Sequence, residues 1–102
     1  MAISDVRLKN NYYELFDGNG KKVNEIRSDR VGELVGFGQD FILFLKATYF
    51  GTYDESFKII AEIRNSRVGQ FKSVASTTII FLNDNYLGTY DKNFKKISER
   101  RA

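Results

Sequence analysis

The side chains able to do chemistry in this 102-residue chain recur at one spacing: Asp17, Asp54 and Asp91, then Glu25, Glu62 and Glu99, each set 37 residues apart. Two carboxylates held together can act as general acid and base, and a lysine beside a serine can activate a nucleophile. The composition leaves few other options. There is no histidine and no cysteine, which removes the Ser-His-Asp and Cys-His arrangements, the commonest metal ligand, the near-neutral proton shuttle and any thiolate metal site. Each Asp opens a turn and each Glu lies near a strand end, where capping and solvated roles are ordinary. The expectation is a protein that is not an enzyme, with no catalytic residues, no metal and no cofactor.

Two motifs that resemble ligand loops fail on their own chemistry. Asp17-Gly18-Asn19-Gly20 opens like a calcium loop, but Lys21 and Ser28 stand where the fifth and twelfth ligands belong. Gly36-Phe37-Gly38 is too short for a dinucleotide fingerprint, and no helical pattern follows it. Binding chemistry is better represented. Arg27 and Arg30, repeated as Arg64 and Arg67, could meet phosphates, with Tyr12, Tyr49 and Tyr86 as stacking surfaces, which makes nucleic acid or another acidic polymer one candidate partner. Tyrosine and aspartate repeated together, as in Tyr49 and Asp54, also suit a lectin-like site for a glycan or small ligand.

The elements that must position these residues follow from the same offset. Tyr49-Phe50-Gly51-Thr52-Tyr53-Asp54 falls without gaps on Tyr86-Leu87-Gly88-Thr89-Tyr90-Asp91 and on Tyr12-Tyr13-Glu14-Leu15-Phe16-Asp17. Lys21, Lys58 and Lys95 then coincide, as do Leu8, Leu45 and Leu82. So many coincidences predict three tandem units in a single domain, spanning 1–26, 27–63 and 64–102. Aromatic residues make up 15% of the chain, against one Met, a composition that suits pleated sheets. Each unit reads as an antiparallel meander: an apolar strand (41–47), a second strand (49–53), an Asp turn and a third strand (58–63). A fourth strand, 31–36 and 68–74, opens units two and three, whereas the first unit begins too late to contain one. The fold class is all-β, with blade-like stacking as in a β-propeller, or alternatively a β-trefoil or other closed barrel.

The Tyr-Asp turn with its Lys-led return strand resembles short bacterial tandem repeats with a Tyr-Asp-x-x-Gly-Lys core. The resemblance covers the chain in three passes. Only the first unit carries the Gly-Lys pair, Gly20-Lys21; the others have Phe57-Lys58 and Phe94-Lys95. Such repeats serve many roles, so the resemblance implies fold class and no particular activity.

Burial follows from alternation along the first strand. Val6 and Leu8 match Leu43 and Leu45, and Ile80 and Leu82, so this face is read as core in every unit. The opposite face carries Ile42 and Phe44, then Ile79 and Phe81, but Asp5 and Arg7 in the first unit, which marks that unit as an end. Ile79 and Phe81 lack a following unit and become candidates for an oligomer interface. The chain is thus expected to be a non-catalytic interaction or assembly module that forms a homo-oligomer, taken as a dimer of six stacked units, with a further protein partner also compatible. Net charge is only +3, with both signs interspersed, and the longest apolar run is five residues. No membrane association and a cytoplasmic location are expected.

Overall fold

The Asp turns set the meander. In the computed structural model, which describes residues 3–102, Asp17 Oδ1 accepts from the backbone N–H groups of Asn19 and Lys21 at 2.9 and 3.0 Å. Asp54 does the same for Ser56 and Lys58, and Asp91 for Asn93 and Lys95. These carboxylates are turn caps. The turn needs one residue at positive φ, and it is Gly20 in the first unit but Phe57 and Phe94 in the others (φ 58° and 60°). A left-handed conformation costs a bulky residue about 1–2 kcal/mol, whereas burying a phenylalanine stabilises by roughly 1.5–3 kcal/mol. Phe57 and Phe94 are each buried in a core cluster, so burial outweighs strain and the glycine is dispensable there.

The elements in order are β1 (Asp5–Lys9), β2 (Tyr12–Phe16), β3 (Lys22–Arg27), α1 (Ser28–Val31), β4 (Glu33–Phe37), β5 (Ile42–Lys46), β6 (Tyr49–Tyr53), β7 (Ile59–Arg64), α2 (Asn65–Val68), β8 (Gln70–Val74), β9 (Ile79–Asn83), β10 (Tyr86–Tyr90) and β11 (Lys96–Arg101). They form three antiparallel sheets, ordered β1-β2-β3, β4-β5-β6-β7 and β8-β9-β10-β11. None of the three closes on itself, so the barrel alternative is not met. The register repeats: Tyr12, Tyr49 and Tyr86 face Arg27, Arg64 and Arg101 across the last strand pair of their sheets. Met1 and Ala2, at the start of the first unit, lie outside the described residues.

Two apolar clusters join the sheets. Val6, Tyr13 and Leu15 of the first sheet pack with Ile42 and Phe44 of the second. Leu43 and Phe50, on the other face of the second sheet, pack with Ile79 and Phe81 of the third. The ring pairs are equivalent: Tyr13 lies 5.0 Å from Phe44, and Phe50 lies 5.0 Å from Phe81. Polar locks accompany them. Asn24 Nδ2 donates to the Glu55 carbonyl at 3.2 Å, and the fully buried Thr52 donates through Oγ1 to the Lys92 carbonyl at 2.6 Å. Glu55 and Lys92 are the same turn position, so the Asp turns of the second and third sheets each offer a carbonyl to the preceding sheet.

The structure corrects three expectations. Ile79 and Phe81 are not an oligomer surface: both are 0% exposed, because the second sheet already covers them. The Ile-x-Phe faces of the second and third sheets are each covered by the preceding sheet, and among the described residues no strand covers the Ile80 and Leu82 face of the last sheet. Leu8 is not core. It is 60% exposed near the end of β1, while Leu45 and Leu82 are half-buried, so burial on this face fades toward the hairpin turn. Val31 and Val68 do not open strands. They end the single helical turns α1 and α2 and plug the two sheet junctions, and the strands begin at Glu33 and Gln70.

Candidate functional site

In β6, Tyr49, Gly51 and Tyr53 share one face by the strand's two-residue period. Glycine at 51 makes room for the Tyr53 ring: a β-carbon there would stand 3.2 Å from Tyr53 Cε1. The ring meets Phe44 edge to face, with centroids 5.4 Å apart at 80°. Glu62 lies directly across from Gly51 on β7, and Val31 closes the cleft from α1. Lys46 and Ala47 complete a lining that encloses about 240 Å³.

The third sheet builds the same cleft. Val68, Phe81, Asn83, Asp84, Tyr86, Gly88, Tyr90 and Glu99 line about 180 Å³, and they stand 37 positions after the eight residues of the first cleft. A β-carbon at Gly88 would be 2.9 Å from Tyr90 Cε1, and Phe81 meets Tyr90 edge to face at 5.5 Å and 80°. Arg67 and Lys96 also line this second cleft. The first sheet differs at the same positions. Glu14 replaces the glycine, Phe16 the inner tyrosine and Arg7 the phenylalanine, and the Arg7 guanidinium lies over the Phe16 ring at 4.8 Å.

The carboxylates separate the clefts electrostatically. Glu99 is held by Lys96 Nζ at 2.6 Å, and that ammonium lies 6.0 Å from the Tyr90 ring centre. Glu25 is held in the same way by Lys22 at 2.7 Å. The residue equivalent to Lys22 and Lys96 in the middle unit is Ile59, and among the described residues Glu62 forms no ion pair. Burial first, and the nearby Glu62 charge second, push the Tyr53 phenol above its ordinary pKa. Glu99, followed by the Tyr90 phenol, holds the Lys96 ammonium above its usual range.

The residues singled out from the sequence are partly gathered here. Tyr49 and Tyr86 stand at the cleft mouths, and Arg64 lies against Tyr49, donating to its hydroxyl at 3.3 Å with the guanidinium 5.5 Å from the ring centre. Arg67 lines the second cleft. Arg27 faces Tyr12 across the strands and pairs with Asp29 at 3.4 Å, and Arg30 is exposed on α1. Asp54 is turned into its own loop, so it does not join Tyr49. Tyr53, Tyr90 and the two glycines were missed as site residues. Their signal was the contrast between Tyr-x-Gly-x-Tyr in units two and three and Tyr-x-Glu-x-Phe in the first. No group of three or more potential metal ligands forms among the described residues, and no described helix is long and apolar enough to cross a membrane. No protein-family model, curated protein or solved structure matches the chain.

Proposed function

We propose that this chain is a non-catalytic binding module that holds its ligand in two equivalent aromatic clefts, one on the second sheet and one on the third. The observation behind this reading is that all eight positions lining the first cleft recur in the second, although they come from separate elements. Concave sites with aromatic walls and a few placed polar groups are the usual form of small-ligand pockets. The test is an amide-resolved NMR titration against a mixed set of small amines, glycosides and aromatic acids. Shifts are expected around Tyr49–Tyr53 and Glu62, or Tyr86–Tyr90 and Glu99, with Tyr49→Ala removing only the first set. Saturable binding confined to other surfaces, or none with any compound, would sink this reading.

Self-association is the second reading, and it rests on the outward face of the last sheet. Ile80, Leu82 and Leu87 occupy there the positions that Leu43, Leu45 and Phe50 use to pack on a following sheet. Thr89 stands at the position of the locking Thr52. A second copy docked head to tail gives a dimer of six blade-like meanders. Light scattering on the eluting protein is expected to return twice the chain mass, and Leu82→Glu to halve it. A monomer at every concentration rules this association out.

A further inference from the structure

Within the binding reading above, on which this inference rests, the structure also indicates what the middle cleft accepts. Lys22, Ile59 and Lys96 are equivalent positions, each cross-strand from the inner aromatic residue of its unit: Phe16, Tyr53 and Tyr90. Glu25, Glu62 and Glu99 follow three residues later. In the first and third units the lysine ammonium sits on that carboxylate, at 2.7 and 2.6 Å. In the third it also lies over the face of Tyr90, at 6.0 Å. The protein thus displays, in its own second cleft, an alkylammonium held by a carboxylate and an aromatic ring.

The middle cleft keeps every part of that arrangement except the lysine. Tyr49 and Tyr53 wall it, Phe44 and Gly51 floor it, and Glu62 stands at its mouth without an ion pair among the described residues. Ile59, 51% exposed and cross-strand from Tyr53, stands at the position of that lysine and carries no charge. The middle cleft is also the larger of the two, the direction expected when Lys96 fills part of the other. Lys46, the other charged group in the lining, has its ammonium on the Arg30 carbonyl at 3.4 Å. We infer that the middle cleft binds a primary alkylammonium, the side chain of a lysine on a partner protein, and that Lys96 occupies the equivalent cleft of the third sheet from within. Aromatic faces attract such cations through their quadrupole, and a carboxylate adds direct charge. Both groups remain near water, so the expected dissociation constant for the isolated group is weak, of order millimolar.

The experiment is an NMR titration of the whole chain with Nα-acetyl-lysine methylamide and n-butylammonium, and with 1-pentanol as a neutral match. Both ammonium compounds are expected to shift Tyr49, Gly51, Tyr53 and Glu62 amides at one site per chain, with 1-pentanol at least about tenfold weaker. Ile59→Lys supplies the cation internally and is expected to abolish that site. Lys96→Ile is expected to create a second site at Tyr86, Gly88, Tyr90 and Glu99. If 1-pentanol binds the cleft as tightly as the amines, the ligand class is wrong while the binding reading stands. If neither class binds there but a glycoside does, the outcome is the same. If Lys96→Ile gains no second site, Lys96 is not the internal occupant. If nothing binds either cleft, both the inference and the reading beneath it fall. Binding of n-butylammonium without the lysine amide overturns the protein-borne source and points to a free amine.

Discussion

Phe81→Ala is expected to lower stability by about 3–5 kcal/mol, the range for truncating a buried aromatic ring. The side chain is fully buried and meets Phe50, Phe71, Tyr90 and Phe94 at ring separations of 5.0 to 6.5 Å. Its loss opens a void between the second and third sheets and removes the floor of the second cleft. Domains of this size are stable by only about 5–15 kcal/mol, so the variant is left near the edge of folding. The neighbouring Ile80→Ala is the control, because Ile80 points the other way and is half-buried; it is expected to cost less than about 1.5 kcal/mol. Urea unfolding of both variants measures the difference. Equal losses would mean that the two faces of β9 are buried alike and that the last sheet is packed differently.

Gly69→Ala is expected to cost about 3 kcal/mol, from backbone strain together with a clash. Gly69 ends α2 at φ 92° and ψ −145°, a region that side chains rarely enter, and a β-carbon there would run into the Leu82 carbonyl oxygen and approach Asn83 Cα. Gly32 ends α1 in the same way against Leu45 and Lys46, at φ 93° and ψ −144°. These glycines let the chain turn from the outer strand of one sheet into the next while placing Val31 or Val68 in the junction. Thermal unfolding is the measure, with a shift of roughly 4–8 °C expected per kcal/mol. Gly18→Ala, where nothing lies within 4 Å and φ is not positive, is the matched control; it is expected to stay within about 0.5 kcal/mol of the parent. A Gly69→Ala melt indistinguishable from that of Gly18→Ala would show that the junction adapts without cost.

The functional reading depends on how a repeat is varied as well as on how it is kept. Unit one substitutes Glu14 and Phe16 into the cleft positions and stacks Arg7 over Phe16. Unit three keeps the cleft but places Lys96 in it. Unit two keeps the cleft and puts Ile59 where the lysine would be. One backbone solution thus carries three chemical states of one site. Sheet pairing uses the main chain, so the side chains on this part of each sheet can change without altering the fold.

The sequence by itself determined the meander, its 37-residue register and the Asp turns, because hydrogen bonding in a turn and alternation along a strand are local. It also set the first unit apart, since Asp5 and Arg7 stand there at the positions of Ile42 and Phe44. Only the tertiary structure decided which face of the last sheet is covered. Both faces of β9 are apolar, and alternation separates two faces without saying which one meets a neighbour. The helical turns at 28–31 and 65–68 were hidden because four residues are too few to show a helical period, and their valines continue the apolar pattern of a strand. The cleft is divided between the two: Phe44, Gly51 and Glu62 are cross-strand partners within one sheet and follow from its register, whereas only the packing of the sheet junction brings Val31 against them.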